Sequence, residues 1–293
     1  GVSWTLFADP MSGLLDHPNT APMEELLQVK PDVVLSIGGQ WINKKPKQYL
    51  RSLGIQKHVH VDTFQCWDVL DANVEHLRFS PNLLQHWKSA KNFIQVSKNE
   101  HPAVALPWSD AVAFRGIVDH LDDVSVLHLG NSSVARYFNY FPKRLALYGN
   151  RGVAGIDGSL STAVGAALAD PMRKHTVVLG DQSFLYDHNA LYAQELPQNL
   201  TICVLNNGIG GIFDWLPGTA TTGAEARKIF ANAQQVDLES LVRAFNVAYV
   251  CVENEQELAT ALATVNGMSL IEFKTEQSMN LRALKIIQEH GKA

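Results

Sequence analysis

A chain of 293 residues is long enough for about two domains, each with a core of its own. With 46% hydrophobic and 18% charged residues it is not a disordered chain, and a net charge of −5 offers no general attraction for nucleic acid or anionic lipid. The cysteines, Cys66, Cys203 and Cys251, form no C-x-x-C pair, which excludes a disulfide framework and a zinc module; no apolar run reaches a membrane span, and the first residues are not a secretory signal. A reducing cytoplasm is the expected compartment.

The first 65 or so residues alternate between strand and helix. Strands are expected near 4–8, at Val33–Ile37 and at 59–61; helices are expected near 22–29 and 47–53, stopped by Pro31 and Gly54. This is doubly wound α/β, yet three strands are few for a finished sheet, and an initial glycine leading straight into a strand suggests a start inside a domain. Gly38-Gly39 lacks the full G-x-G-x-x-G, so dinucleotide binding is not expected there. Lys44 and Lys45, in the same loop, read as a solvated basic turn. Residues 66–80 suit a linker, and helices are expected at 81–97 and 108–121. In the second, Ala111, Phe114, Ile117, Val118 and Leu121 share a face, as core packing would have them. The expected organisation is a partial Rossmann-like domain at 1–70, a linker and helix at 71–97, and a second α/β domain at 98–293.

A strand at Val126–Leu129 ends in Gly130-Asn131-Ser132, which opens a helix carrying Arg136 on the same face as Ser132. A hydroxyl and helix N-terminal amides suit a diphosphate, and a guanidinium suits a carboxylate. Taken singly, Ser132 reads as an ordinary N-cap and Arg136 as a surface arginine. The next strand, 145–148, runs into Gly149-Asn150-Arg151-Gly152, with Gly155 and Gly158 before a small-residue helix at 159–169. That spacing is a weak phosphate-loop signal, since the glycines could equally let the helix approach the sheet. Arg151 between glycines is costly to order without an anionic partner.

The most informative stretch is a βαβ unit. Strand 176–179 ends in Gly180-Asp181-Gln182-Ser183; a helix follows, then strand 201–205 and Asn206-Asn207-Gly208. A right-handed crossover puts both polar turns at the carboxyl ends of neighbouring parallel strands, where open α/β sheets bind ligands. Asp181, the Asn207 amide oxygen and the carbonyls beyond it suit Mg²⁺, while Gly180 and Ser183 suit a phosphate. Either turn alone is simply a good turn former. Asp187 and Asn189, early in the expected helix, read as capping residues. Ile212, Phe213 and Leu216 form an apolar patch beside the metal turn, favoured as a pocket wall. Residues 218–223 read as a mobile loop. The remainder, helices at 237–245, 255–265 and from 280 with strands at 247–250 and Ser269–Phe273, demands no chemistry.

Gly-Asp-x-Ser followed some two dozen residues later by Asn-Asn resembles the signature of thiamine-diphosphate-dependent enzymes. Gly130-Asn131-Ser132, the run from Asn150 to Gly158 and Gly210-Gly211-Ile212-Phe213-Asp214-Trp215-Leu216-Pro217 narrow the likeness to the MenD family. Those enzymes are the 2-succinyl-5-enolpyruvyl-6-hydroxy-3-cyclohexene-1-carboxylate synthases of menaquinone biosynthesis. The resemblance implies doubly wound, mostly parallel sheets: part of a central domain, then the diphosphate-binding domain. It implies thiamine diphosphate and Mg²⁺ (or Mn²⁺), with the metal on Asp181, Asn207 and the Ile209 carbonyl. The diphosphate would meet Asn131, Ser132, Gly180, Gln182 and Ser183, and Ile156 would prop the cofactor into its bent shape. Arg136 and Arg151 would neutralise substrate carboxylates, helped by Lys44 or Lys45, with Ile212, Phe213 and Leu216 as the wall. The implied transferase decarboxylates 2-oxoglutarate and adds the succinyl unit to isochorismate, in a homo-oligomer (dimer or tetramer). The family's pyrimidine-binding domain has no counterpart here, so the expectation is a C-terminal portion, inactive alone. The alternatives are another thiamine-diphosphate-dependent 2-oxoacid decarboxylase or carboligase, and a non-catalytic cofactor-binding module. A Rossmann dehydrogenase is disfavoured by the missing glycine fingerprint.

Overall fold

A computed structural model describes residues 6–9, 12, 20–39, 41, 42, 44–62, 66, 68–78 and 104–290. The helix expected at 81–97 lies outside the described residues. The chain divides into two compact units, Gly1–Asn99 and Glu100–Ala293.

The first unit holds β1 (Leu6–Ala8), β2 (Thr20–Pro22), β3 (Val33–Ile37), α1 (Lys44–Ser52), β4 (Lys57–Asp62) and β5 (Val74–Arg78). β1 and β2 pair in parallel, and β3, β4 and β5 form a parallel sheet in that order. Leu26, Leu50, Ile55, Val69 and Leu70 close its core. Three expectations are corrected. The helix expected near 22–29 is a short strand followed by a 3-10 turn, Met23–Gln28. α1 starts three residues before its expected position, since Pro46 falls in the first turn, where its missing N–H removes no helical bond. The linker expected at 66–80 contains β5, whose mostly exposed side chains disguise a strand held by backbone pairing to β4.

The second unit is a six-stranded parallel sheet in the order β10-β11-β9-β8-β6-β7. Its strands are β6 (Val126–Leu129), β7 (Ala146–Gly149), β8 (His175–Gly180), β9 (Leu200–Asn206), β10 (Ala248–Val252) and β11 (Ser269–Lys274). Its helices are α2 (Asp110–His120), α3 (Ser133–Tyr140), α4 (Ser159–Ala169), α5 (Asp181–Asp187), α6 (Pro217–Ala220), α7 (Ala224–Ala231), α8 (Leu238–Arg243), α9 (Glu255–Thr264) and α10 (Gln277–His290). β8 and β9 are central and covered on both faces, so Val177, Val178, Leu179, Ile202, Cys203 and Val204 are fully buried and read as unbroken apolar runs. Cys203 is a core residue, its thiol pushed up by burial. Phe114, Ile117 and Val118 of α2 are buried as their spacing requires.

The topology positions the site. β7 lies on one side of β6 and β8 on the other, so the chain reverses its direction of travel across the sheet at β6/β8. The turns after β6 and β8 flank that reversal, the place where an open parallel sheet leaves a crevice at its carboxyl edge. The loop expected at 218–223 runs instead from α6 into α7, a helix absent from the sequence reading. Among the described residues no helix is long and apolar enough to cross a membrane.

Candidate functional site

One side of the crevice is acidic. Gly180 ends β8 in extended conformation, and Asp181 begins α5 with 3% of its surface exposed. Its Oδ1 accepts from Gln182 N at 2.8 Å and its Oδ2 from Gln234 Nε2 at 2.8 Å. Burial pushes this carboxyl up to about 6; the two hydrogen bonds oppose that, and neighbouring Asp110 adds to it. Asn207 donates to Asp110 Oδ2 at 2.9 Å, which fixes its amide so that Oδ1 accepts from Ile209 N at 3.1 Å. The Ile209 carbonyl accepts from Gly211 N at 2.7 Å. Asp110 is itself buried, bound by Thr275 Oγ1, and its backbone N–H donates to Asn280 Oδ1.

These donors suit a hard divalent cation. They comprise one buried carboxylate, amide oxygens and backbone carbonyls, and the described residues hold no group of three or more His, Cys, Asp or Glu able to bind a metal. A cation there would complete its shell with water and phosphate oxygens, as Mg²⁺ does.

The other side is basic. Gly130 sits in a tight place: a Cβ there would lie 3.0 Å from Leu179 Cδ2 and 3.1 Å from the Val178 carbonyl. Ser132 has φ +67 and ψ −126 and makes no side-chain cap bond, so it is not an ordinary N-cap but a strained non-glycine residue at the strand end. Arg136 Nη1 donates to the Ser132 carbonyl at 2.6 Å, and Arg151 Nη1 to Asn131 Oδ1 at 2.5 Å. Consecutive residues therefore anchor two guanidiniums. Arg136 has its pKa lowered by burial and then by the charge of Arg151.

Several expected phosphate ligands spend their donors on the protein. Asn131 Nδ2 donates to the carbonyls of Asn150 (2.8 Å) and Gly155 (2.6 Å), sewing the glycine loop to the end of β6. Ser183 Oγ donates to the Ile156 carbonyl at 2.7 Å, joining the two sides of the crevice. Gln182 exchanges hydrogen bonds with Asn232. In turns, such side chains compete successfully for nearby carbonyls. Ile156, Ile212, Phe213 and Leu216 are half-buried, and Phe213 meets the ring of Phe230. Lys44 and Lys45 open α1 in the first unit, both exposed.

Asp187 corrects another expectation. The helix is short, so Asp187 ends α5 instead of starting it, and its carboxylate accepts from Ser161 N and Oγ in the first turn of α4. Asn189 falls in the 3-10 turn that follows. Asp110, Gln234 and Glu272 are not singled out by the sequence, and Asn206 only as half of the Asn-Asn pair; the first three reach the site from up to 97 residues away.

Residues 128–273 match the family model described as the thiamine pyrophosphate enzyme C-terminal TPP-binding domain. This segment belongs to the thiamine pyrophosphate enzyme family. Both sides of the crevice lie within the matched segment, apart from Asp110 on α2 and the anchors on α10. Among curated proteins, the chain is similar to 2-succinyl-5-enolpyruvyl-6-hydroxy-3-cyclohexene-1-carboxylate synthases. That of Flavobacterium psychrophilum is 32% identical over 263 residues, covering 83% of this chain and 47% of the relative. That of Christiangramia forsetii is 33% identical over 282 residues, 88% of this chain and 48% of the relative. That of Bacteroides fragilis is 32% identical over 281 residues, 87% and 49%. The chain thus spans about half the length of these relatives.

Proposed function

We propose that this chain supplies the Mg²⁺–diphosphate half of a thiamine-diphosphate-dependent transferase centre that takes 2-oxoglutarate and isochorismate. The observation that carries the reading is that Arg136 and Arg151 are anchored on the consecutive residues Ser132 and Asn131 at the end of β6, while the buried carboxylate of Asp181 opens α5 at the end of the neighbouring strand β8. Asp181, Asn207 and the Ile209 carbonyl would hold Mg²⁺, or Mn²⁺ in its place. The diphosphate would lie along the turns at Gly130–Ser132 and Gly180–Ser183, with Ile156 against the body of the cofactor. Bound thiamine diphosphate would supply an electron sink for decarboxylation.

The remaining work belongs to the protein. Arg136 and Arg151 hold substrate carboxylates, Arg136 oriented by the Ser132 carbonyl and Arg151 by Asn131 Oδ1. Ile212, Phe213 and Leu216 present apolar surface to a carbocyclic acceptor and keep water from it. Lys44 and Lys45 are secondary candidates for a carboxylate. The cytoplasm and a homo-oligomeric state belong to the same reading. A substrate screen of this half, complemented by a pyrimidine-binding half and loaded with Mg²⁺ and thiamine diphosphate, tests it. The expected result is product from 2-oxoglutarate with isochorismate and little turnover of pyruvate. A preference for monocarboxylic 2-oxo acids would overturn the substrate assignment in favour of another carboligase.

A further inference from the structure

The segment that follows α7 crosses the acidic turn, and one residue in it uses its backbone N–H and both polar atoms of its side chain. Gln234 donates its backbone N–H to the Gly208 carbonyl at 2.9 Å. Its Nε2 gives one hydrogen to Asp181 Oδ2 at 2.8 Å and the other to Asn206 Oδ1 at 3.1 Å, while its Oε1 accepts from Val236 N at 2.7 Å. The amide orientation follows from this chemistry, because a backbone N–H needs the oxygen and two oxygens need the nitrogen. Asn206 is fixed in the same way. Its Oδ1 also accepts from Gly208 N, and its Nδ2 donates to Glu272 Oε1 at 2.5 Å. Glu272 is 2% exposed and holds the Tyr249 hydroxyl through its other oxygen. A continuous line of side chains thus runs from Asp181 to the edge strand β10.

We infer that Gln234 is a positioning residue for the cation site: its amide locks the Asp181 carboxylate and the Asn206–Gly208 turn into one rigid unit. The inference rests on the Mg²⁺–diphosphate reading above and adds a residue far from the motif. A carboxylate oriented by an outer partner binds metal better than one free to rotate, and losing such a partner costs about 10–100-fold in metal affinity.

The test is a Mg²⁺ titration of the protein at saturating thiamine diphosphate, followed by calorimetry, comparing the native chain with Gln234→Met and Asn232→Ala. Methionine keeps the length and removes both donors; Asn232→Ala cuts the other side-chain tie of the same segment, to Gln182. The expected result is a Mg²⁺ half-saturation raised about tenfold or more by Gln234→Met, and less than about threefold by Asn232→Ala. Thiamine diphosphate affinity at saturating Mg²⁺ should stay within about threefold, a split that general loosening of the fold would not produce. Equal shifts in the two variants, or none in Gln234→Met, would overturn the role. Hydrogen exchange on the native protein tests it without a variant: by linkage, loading with Mg²⁺ and thiamine diphosphate should slow the Gln234 and Val236 amides, and unchanged exchange there overturns it. Thiamine diphosphate binding with no dependence on Mg²⁺ in the native protein would instead remove the reading underneath, and this inference with it.

Discussion

The two sides of the crevice use opposite charges and one construction rule. On the acidic side a buried carboxylate is held by an amide N–H and a side-chain amide; on the basic side two guanidiniums are held by a carbonyl and an amide oxygen. At Asp181 and Arg136 neutral partners orient a charge without cancelling it. Other charges of the second unit meet counterions instead: Arg173 pairs with Asp170 at 2.5 Å and Arg227 with Asp214 at 2.7 Å. The lesson is energetic. Burial raises the free energy of each uncancelled charge, shown by Asp181 being pushed up and Arg136 down, and a ligand of the matching sign recovers that cost.

The comparison breaks most completely if the acidic side is emptied. Asp181→Ala should abolish Mg²⁺-dependent binding of thiamine diphosphate, a loss beyond the roughly 100-fold that outer partners can cause. Calorimetry with and without Mg²⁺ measures it, and retained tight Mg²⁺-dependent binding would remove Asp181 from the site. On the basic side, Arg136→Ala should cost on the order of 30-fold or more in kcat/KM, about 2 kcal/mol for a lost buried charge contact. Cofactor affinity should barely change. Equal losses in both would mean that Arg136 serves the diphosphate and not a substrate carboxylate.

Titration separates the two sides more gently. A protonated carboxyl cannot hold a cation, and Asp181 is pushed up to about 6 by burial. Its affinity for Mg²⁺ should therefore be complete above about pH 7 and fall about tenfold per unit below 6, where an exposed aspartate near 3.9 would still be ionised. The guanidiniums keep their charge throughout this range, so anion binding should stay flat. The sign for stability runs the other way. A carboxyl raised above its unfolded value favours the ligand-free fold at low pH and loses that contribution as pH rises through 6. The buried pair His128 and His175 opposes this: His128 is lowered to about 4, chiefly by burial and then by His175, so its contribution is complete above 6.5 and lost as pH falls. Mg²⁺ titrations from pH 5 to 8 check the first statement, and a flat cation affinity across that range would contradict it.

How much of this was legible follows from how far each interaction reaches along the chain. The β8–α5–β9 unit was plain, because apolar runs and polar turns sit within some thirty residues of one another. Asp181, Asn207, Arg136 and Arg151 stand out in the sequence as candidates because turn chemistry and helical spacing are local signals. What escaped is the set of partners that orient them. Gln234 meets Asp181 across 53 residues and Asp110 meets Asn207 across 97, contacts made by tertiary folding that leave no periodicity to read. Equally unreadable in the sequence is that Asn131 and Ser183 donate to the loop on which Arg151 and Ile156 sit. β5 was missed for a related reason: a strand with mostly exposed side chains has no apolar alternation, and its backbone pairing to β4 is invisible in composition.

The smallest effect isolates scaffold from site within one helix. α5 begins with Asp181 and ends with Asp187, both buried acids, yet only the first faces the crevice motif; the second caps α4 through Ser161 N at 2.8 Å and Oγ at 2.6 Å. A helix cap removed costs about 1–2 kcal/mol, so Asp187→Ala should lower the melting temperature of the ligand-free protein by a few degrees. Mg²⁺ affinity should move less than about twofold, because α5 itself keeps its place on β8 and β9 through Phe184, which is fully buried. If instead cation affinity fell in step with stability, the two ends of α5 would be one cooperative unit. The contrast between uncancelled ligand charge and ordinary capping charge would then fail at the residue where it is drawn most narrowly.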